Sequence, residues 1–137
     1  MLKITHNKIP MTKKRKLALE AVQFFAKKLR INGINAEIQV NFKYAFLDTF
    51  SVMAECTMPK KNFILLEIDA DLSMDWIIQI VAHEMVHAKQ WLKGELVMTK
   101  YIYWKGKKVN VMPYHRQPWE VEAMKKQIIL MYEFFNK

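Results

Sequence analysis

The segment Val81–Ala88 has the sequence VAHEMVHA and lies inside a longer run of apolar residues with helical spacing. In an α-helix, residues four positions apart share one face and differ by about 40° around the axis. The segment therefore predicts that the imidazoles of His83 and His87 lie side by side. Glu84 follows His83 by about 100° around the helix, so its carboxylate is expected beside the two rings.

The helix that contains this segment is predicted to extend from about residue 73 to residue 93. Ser73 is a suitable N-cap, and Gly94 ends the pattern. The side of the two histidines also holds Trp76, Ile80 and Gln90. The opposite side forms an apolar stripe for the core, made of Ile77, Val81, Met85, Ala88 and Leu92. A third side is expected to meet water, and it holds Gln79, Lys89 and Lys93.

The composition indicates a single domain that spans residues 1–137. Hydrophobic residues make up 52% of the chain and there are only three glycines, which suits a packed core without long linkers. No window approaches eighteen uncharged apolar residues, so no membrane-spanning helix is expected. Polar residues interrupt the apolar run after Lys13–Lys16, so we expect no signal peptide and a cytoplasmic protein. The single cysteine, Cys56, excludes thiol-pair metal binding and is expected to be a small core residue.

The positive charge is concentrated near the N-terminus. The formal net charge is +9, and residues 1–32 hold nine of the 22 basic residues against one of the 13 acidic residues. A segment of this kind can contact nucleic acid or another acidic surface. A solvated helix face explains the same charges equally well, so both interpretations stay open.

The order of the remaining elements predicts an α+β fold. Apolar residues with helical spacing predict an N-terminal helix over residues 12–32 and a C-terminal helix over residues 118–135, with Pro118 in its first turn. Residues 1–10 are expected to be irregular. Strand-like runs follow the first helix at residues 38–42, 50–57 and 61–68. Their short links predict a small, mostly antiparallel sheet arranged as a meander.

A hairpin is predicted between the helix of residues 73–93 and the C-terminal helix. Its strands are expected at residues 101–104 and 109–111, and the connecting residues 105–108 form a basic tip.

The spacing of His83 and His87 is that of a zinc site. A catalytic Zn²⁺ ion takes three protein ligands and leaves a fourth position to water, and Glu84 is placed to take a proton from that water. The alternative is a structural helix that carries two histidines without a metal. No histidine follows closely behind His87, so three residues remain as candidates for the third ligand: His115, Glu120 and Glu122.

The motif HEMVH at residues 83–87, followed by QPWEVEA at residues 117–123, resembles small gluzincin-type zinc metallopeptidases. It is similar in particular to the SprT-like proteins often carried by bacteria and their phages. The resemblance covers about residues 62–125 and implies a minimal zincin-like domain that hydrolyses peptide bonds. In gluzincins the third ligand is a glutamate on a helix after the metal helix, commonly in a Glu-x-x-Ala pattern. Glu120 occupies that position here.

Two features depart from these families. Many gluzincins have an Asp or Asn four positions beyond the ligand glutamate, where it orients a zinc-bound histidine, but this chain has Met124 there. SprT-like enzymes that use a third histidine have it much closer to the motif than His115. The group that orients the imidazoles is therefore open between Glu122 and a backbone carbonyl.

Glu120 is the third ligand that we predict, because it lies near a helix start from which a carboxylate can reach into a cleft. Glu120 and Glu122 point about 160° apart on a helix, so only one of them should bind the metal. Glu120 also suits the first turn of a helix without any ligand role. His115 and Tyr114 precede this helix, and each is either a donor to the reaction's oxyanion or a surface side chain.

These residues predict a zinc metallopeptidase that acts on a protein or peptide with Glu84 as general base. We expect the substrate to lie along an exposed sheet edge formed by a strand between Phe50 and Ile68. The alternative is a basic nucleic-acid-associated protein with a structural or vestigial zinc site, in which Lys13–Lys16 and Lys105–Lys108 contact phosphates. Hydrolysis of a peptidoglycan amide is a third interpretation, which an intracellular chain does not favour.

Overall fold

The computed structural model describes residues 1–8, 10–44 and 54–137. Within these ranges the chain forms an α+β arrangement of three α-helices, two sheets and a short 3-10 helix, Tyr114–Arg116. The α-helices are α1 (Lys13–Lys28), α2 (Met74–Leu92) and α3 (Pro118–Phe135). The larger sheet contains β1 (Lys3–His6), β2 (Glu37–Lys43), β3 (Ala54–Lys60) and β4 (Phe63–Asp69). The smaller sheet contains β5 (Leu96–Met98), β6 (Ile102–Trp104) and β7 (Lys107–Val109).

The larger sheet is mixed, so the predicted antiparallel meander is wrong. Its strand order is β1-β2-β4-β3, and only β3 and β4 pair in antiparallel fashion. β1 pairs with β2, and β2 with β4, in parallel. Parallel neighbours need a crossover connection, and α1 supplies it between β1 and β2. The part of the predicted second strand at residues 50–53 lies outside the described residues.

The expectation that residues 1–10 are irregular is wrong for Lys3–His6, which form β1. This strand lies in parallel register with β2, from the pair Lys3 and Glu37 to the pair His6 and Val40. Four residues carry too little local pattern to predict a strand. The pairing partner, more than thirty residues away in sequence, decides the structure of this segment.

The predicted hairpin is present. Its connecting loop is shorter than predicted, and a third strand, β5, extends it into a three-stranded sheet. β6 and β7 are joined by Lys105 and Gly106, whose φ angles of 50° and 82° are those of a tight two-residue hairpin turn. β7 therefore begins at Lys107, two residues before the predicted second strand. β5 pairs with β6 on the other side and was not predicted.

The three helices lie close to their predicted positions. Thr12 caps α1 and Ser73 caps α2, each by accepting a hydrogen bond from a backbone N–H of the first turn. α1 ends at Lys28, earlier than predicted, because Arg30 adopts a left-handed conformation with φ of 60°. Among the helices of the described ranges, none has both the length and the apolar character required to cross a membrane.

One hydrophobic core joins the helices to the larger sheet. α2 packs against β3 and β4, and it also contacts α1 and α3. The rings of Phe25, Phe24 and Phe134 meet between α1 and α3 at centroid distances of 5.4–5.9 Å. This packing fixes the back of α2 and leaves its histidine face directed toward α3.

Phe25 tests whether the α1–α3 aromatic cluster stabilises the domain. Phe25 is fully buried, whereas Phe135 on α3 is 51% exposed. Phe25→Ala is expected to lower the free energy of unfolding by about 3–5 kcal/mol, because it removes a ring and leaves a cavity. The matched control Phe135→Ala should cost less than about 1 kcal/mol. Urea denaturation measures both, and equal losses would contradict this core.

Candidate metal centre

The side chains of His83, His87 and Glu120 converge between α2 and α3. The Nε2 atom of His83 lies 3.1 Å from Glu120 Oε1. The Nε2 atom of His87 lies 3.2 Å from Oε1 and 3.1 Å from Oε2 of the same carboxylate. One ligand atom from each residue falls within 4.8 Å of the others, and no other such trio of His, Cys, Asp or Glu exists in the described part of the chain.

The local sequence of α3 places Glu120 at this position. Pro118 occupies the start of the helix, so Glu120 falls in the first turn. Trp119, which is 5% exposed, packs its ring 6.2 Å from that of Trp104. The side-chain amide of Gln90 on α2 donates to the carbonyl of Trp119 at 2.9 Å. Trp119 thereby attaches the first turn of α3 to α2 and to β6, directly before Glu120.

Two buried glutamines orient the imidazoles. His83 Nδ1 donates to Gln127 Oε1 at 2.6 Å, and His87 Nδ1 donates to Gln90 Oε1 at 2.8 Å. A proton on Nδ1 leaves the Nε2 lone pair of a neutral imidazole free to bind a cation. The expected choice between Glu122 and a backbone carbonyl for this role is therefore wrong. Glu122 is linked to His87 only through Gln90, whose Nε2 atom donates a hydrogen bond to Glu122 Oε1 at 2.9 Å.

Sequence reasoning missed Gln127 as an orienting residue, although a periodic signal was present. Gln127 follows Glu120 by seven positions, which is about two helical turns, so both side chains lie on one face of α3. An amide oxygen on that face can accept a hydrogen bond from the second nitrogen of a histidine, as an Asp or Asn does in many metal sites. A search for polar residues seven positions beyond Glu120 would have found it.

The separations between the Glu120 carboxylate and the two imidazoles can be compared with those around a tetrahedral zinc ion. Bonds of about 2.0–2.1 Å to nitrogen and oxygen in tetrahedral geometry place neighbouring ligand atoms about 3.3 Å apart. The observed N···O separations of 3.1–3.2 Å are close to that edge length. Two imidazole nitrogens and one carboxylate also form the donor set of many catalytic zinc sites. The residues present could therefore hold a metal ion between them.

The three groups perturb each other's ionisation. Burial alone would lower the pKa of His83 and His87, but hydrogen bonds to Glu120 and to a glutamine, together with the negative charge of Glu84, outweigh it and raise both values. Burial would raise the pKa of Glu120, but the two imidazoles hold it well below its usual range. The centre thus holds a carboxylate that is negative at neutral pH and that requires positive charge beside it.

Glu84 lies beside the cluster and toward β3. Burial raises the pKa of its carboxyl to about 7, against the opposing effect of His87 and His83. Burial also raises the pKa of the Cys56 thiol on β3, and the nearby negative charge of Glu84 adds to that effect. A carboxylate that exchanges its proton near neutral pH is suited to general base catalysis.

Of the two predicted oxyanion donors, the structure brings only Tyr114 to the cluster. Its hydroxyl donates to Glu120 Oε1 at 2.7 Å, and burial together with this hydrogen bond raises its pKa. His115, on the same 3-10 helix, is exposed and is not one of the three converging residues.

Lys89 is buried, so the prediction that it meets water is wrong. It is 5% exposed, and its Nζ atom lies 2.8 Å from Glu95 Oε1 and 2.9 Å from Glu122 Oε1. Burial alone would lower the pKa of Lys89, but these two carboxylates outweigh it and raise the pKa. Since Glu122 binds Lys89 and Gln90, its carboxylate is directed away from the histidines.

The basic run Lys13–Lys16 is only partly available to a ligand. Lys14 donates to the carbonyl of Leu72 at 2.8 Å. Arg15 is 4% exposed and donates to the carbonyl of Pro10 and to the hydroxyl of Tyr44. Lys13 and Lys16 remain exposed, so half of the predicted phosphate contacts of this run are occupied by the protein itself.

Comparisons with known proteins assign no family to the chain. Models of protein families, curated proteins and solved structures give no match to it.

Lys89 tests whether the buried ion pairs hold α2, β5 and α3 together. Lys89→Met leaves two partly exposed carboxylates without their cation, and we expect a loss of about 3 kcal/mol in the free energy of unfolding of chelator-treated protein. The control Lys93→Met lies four residues further on, at an exposed position, and should change stability by less than about 0.5 kcal/mol. Urea denaturation distinguishes the two. Equal stability of Lys89→Met and wild type would contradict the role given to these pairs.

Proposed function

We propose that this chain is a zinc-dependent metallopeptidase. The observation that carries the proposal is the convergence of His83 Nε2, His87 Nε2 and the Glu120 carboxylate, with Glu84 beside them. A structural zinc site is closed by four protein ligands, whereas a catalytic site has three and keeps one position open. The trio found here, in a partly exposed position, corresponds to the catalytic type.

The donors favour zinc over Mg²⁺ and Ca²⁺. Mg²⁺ and Ca²⁺ prefer oxygen ligands, and two of the three donors here are imidazole nitrogens. The amide oxygens of Gln90 and Gln127 hold the proton of each imidazole on Nδ1, which directs Nε2 to the shared point. Because these hydrogen bonds fix the orientation of both rings, little further side-chain ordering has to accompany metal binding.

The reaction follows from the positions of the side chains around that point. A zinc ion bound there would act as a Lewis acid on the scissile carbonyl and would lower the pKa of the attacking water. Glu84 accepts the proton of that water and then delivers it to the nitrogen of the leaving amine. The hydroxyl of Tyr114, which already reaches the cluster, is placed to donate to the oxygen that becomes negative.

An extended peptide is the substrate class that the surroundings favour. In the described part of the larger sheet, β3 is an outer strand that pairs only with β4. β3 also packs against α2, and the negative charge of Glu84 helps to raise the pKa of Cys56 on this strand. Backbone groups on the outer side of β3 can pair with an extended peptide and hold a bond of that peptide near the cluster. β3 lies within the range in which the substrate edge was predicted.

Metal content tests the three proposed ligands. The wild-type protein is expected to bind one zinc ion per chain, measured by elemental analysis after dialysis and by competition with a chromogenic chelator. His87→Ala and Glu120→Ala each remove a ligand. Loss of a residue that only orients a ligand lowers metal affinity by about tenfold to hundredfold, so zinc affinity should fall further than that in both variants.

His115→Ala is the matched control for this measurement. It removes an imidazole that is exposed and outside the cluster, so zinc binding should equal that of wild type. Full zinc content in both His87→Ala and Glu120→Ala would refute the site. A loss in His115→Ala of the same size as in His87→Ala would show that a different set of ligands binds the ion.

Glu84→Gln tests the mechanism separately from metal binding. The amide keeps the shape of the side chain but cannot accept the proton, so hydrolysis of labelled unfolded protein should fall by about 10²–10⁴-fold. Zinc content should remain at the wild-type level. Hydrolysis that persists in Glu84→Gln protein, prepared in parallel with wild type, would exclude Glu84 as the general base.

A further inference from the structure

A second cleft lies on the other side of the first turn of α3 from the metal centre. It has a volume of about 480 Å³ and lies between the β6–β7 hairpin and α3. Trp104, Lys105, Arg116, Glu122, Lys125 and Lys126 contribute its aromatic and charged lining. Glu120 and Glu122, two residues apart on α3, point in nearly opposite directions, which separates this cleft from the histidines.

The cleft has a strong excess of positive charge. Four of its lining residues are basic, and its one carboxylate, that of Glu122, is already bound by Lys89 and Gln90. Lys126 lies 3.6 Å from Glu122, a loose contact. Lys105, Arg116 and Lys125 are exposed, and no carboxylate within the described ranges forms an ion pair with them. Like charges gathered in a concave site attract an anion that offsets their repulsion.

An aromatic ring lies among these cations. The Trp104 indole is partly buried against Trp119, and the Nζ atom of Lys105 lies 5.3 Å from its centroid. Packing against Trp119 restricts the orientation of the Trp104 ring. A fixed indole beside arginine and lysine side chains is the combination with which proteins bind nucleotides, since the ring stacks on a base and the cations contact phosphates.

We propose that this cleft binds a nucleotide, with its phosphate between Arg116, Lys125 and Lys126 and its base against Trp104. An acidic peptide would use the same cations but would have no flat ring for the indole. The volume of the cleft suits one nucleotide unit, and that unit is either free or part of a single strand. This site is separate from the peptidase centre and does not depend on a bound metal.

The cleft places the contact with a nucleic acid at the hairpin and α3 rather than at the N-terminal run Lys13–Lys16. The N-terminal run was the first candidate, but Lys14 and Arg15 are engaged in contacts within the protein. Arg116 and Lys125 lie far from that run in sequence, and the fold brings them to the hairpin. The expected phosphate contacts of Lys105 fit this cleft.

The experiment uses the full chain and fluorescence anisotropy of a labelled short oligothymidylate at low salt. Arg116→Gln/Lys125→Gln should weaken binding at least about tenfold and should reduce the slope of log K against log salt by about 1.4, or about 0.7 for each phosphate contact of a single strand. Lys13→Gln/Lys16→Gln removes the same charge from the exposed part of α1 and should change affinity less than about twofold. Trp104→Leu should weaken binding about tenfold, while Trp104→Phe, which keeps a ring, should retain most of the affinity.

Unlabelled competitors in the same assay identify the ligand class. If a mononucleotide competes as well as the oligothymidylate, the cleft binds free nucleotides, and if only the oligonucleotide competes, it binds a strand. The proposal is overturned if neither binds, if the Arg116/Lys125 pair and the α1 control lose affinity equally, or if polyglutamate or inorganic phosphate competes as well as the nucleotides. Zinc content of the cleft variants should match wild type, so this result is independent of the peptidase assignment.

Discussion

The contact on which the site depends is the polar interface between α2 and α3. Both ring nitrogens of each histidine have a partner there, since Gln90 and Gln127 accept from Nδ1 and Glu120 faces Nε2. Buried polar groups are costly when they lack partners, so α3 cannot slide or rotate against α2 without leaving several of them unsatisfied. The aromatic cluster between α1 and α3 holds the other end of the same helix.

The start of α3 contributes to two sites because Glu120 and Glu122, two residues apart, point to nearly opposite sides of the helix. Glu120 turns to the histidines, whereas Glu122 turns to Lys89 and Gln90. Gln90 connects the two sides, since it contacts both His87 and Glu122. The start of α3 thereby supplies a carboxylate to the two histidines and is also linked to Glu95, next to β5, through Glu122 and Lys89.

Local pattern was sufficient for some of this arrangement and insufficient for the rest. The shared face of His83 and His87 follows from a spacing of four, and the apolar stripe that includes Met85 follows from the same periodicity. The burial of Lys89 does not, because it depends on Glu95 and Glu122 lying nearby after folding. The order of the larger sheet was likewise beyond local pattern, because its parallel pairs join segments that are distant in the chain.

The electrostatics of the cluster bear on whether a cation belongs there. A carboxylate facing two Nε2 lone pairs would be repelled, so positive charge is required at this point. Protonating both imidazoles supplies it, but their ring centroids are only 4.9 Å apart, and two like charges at that distance disfavour each other. A divalent cation supplies the same charge at a single position between the donors. Either two protonated imidazoles or one divalent cation would therefore supply the positive charge that the Glu120 carboxylate requires.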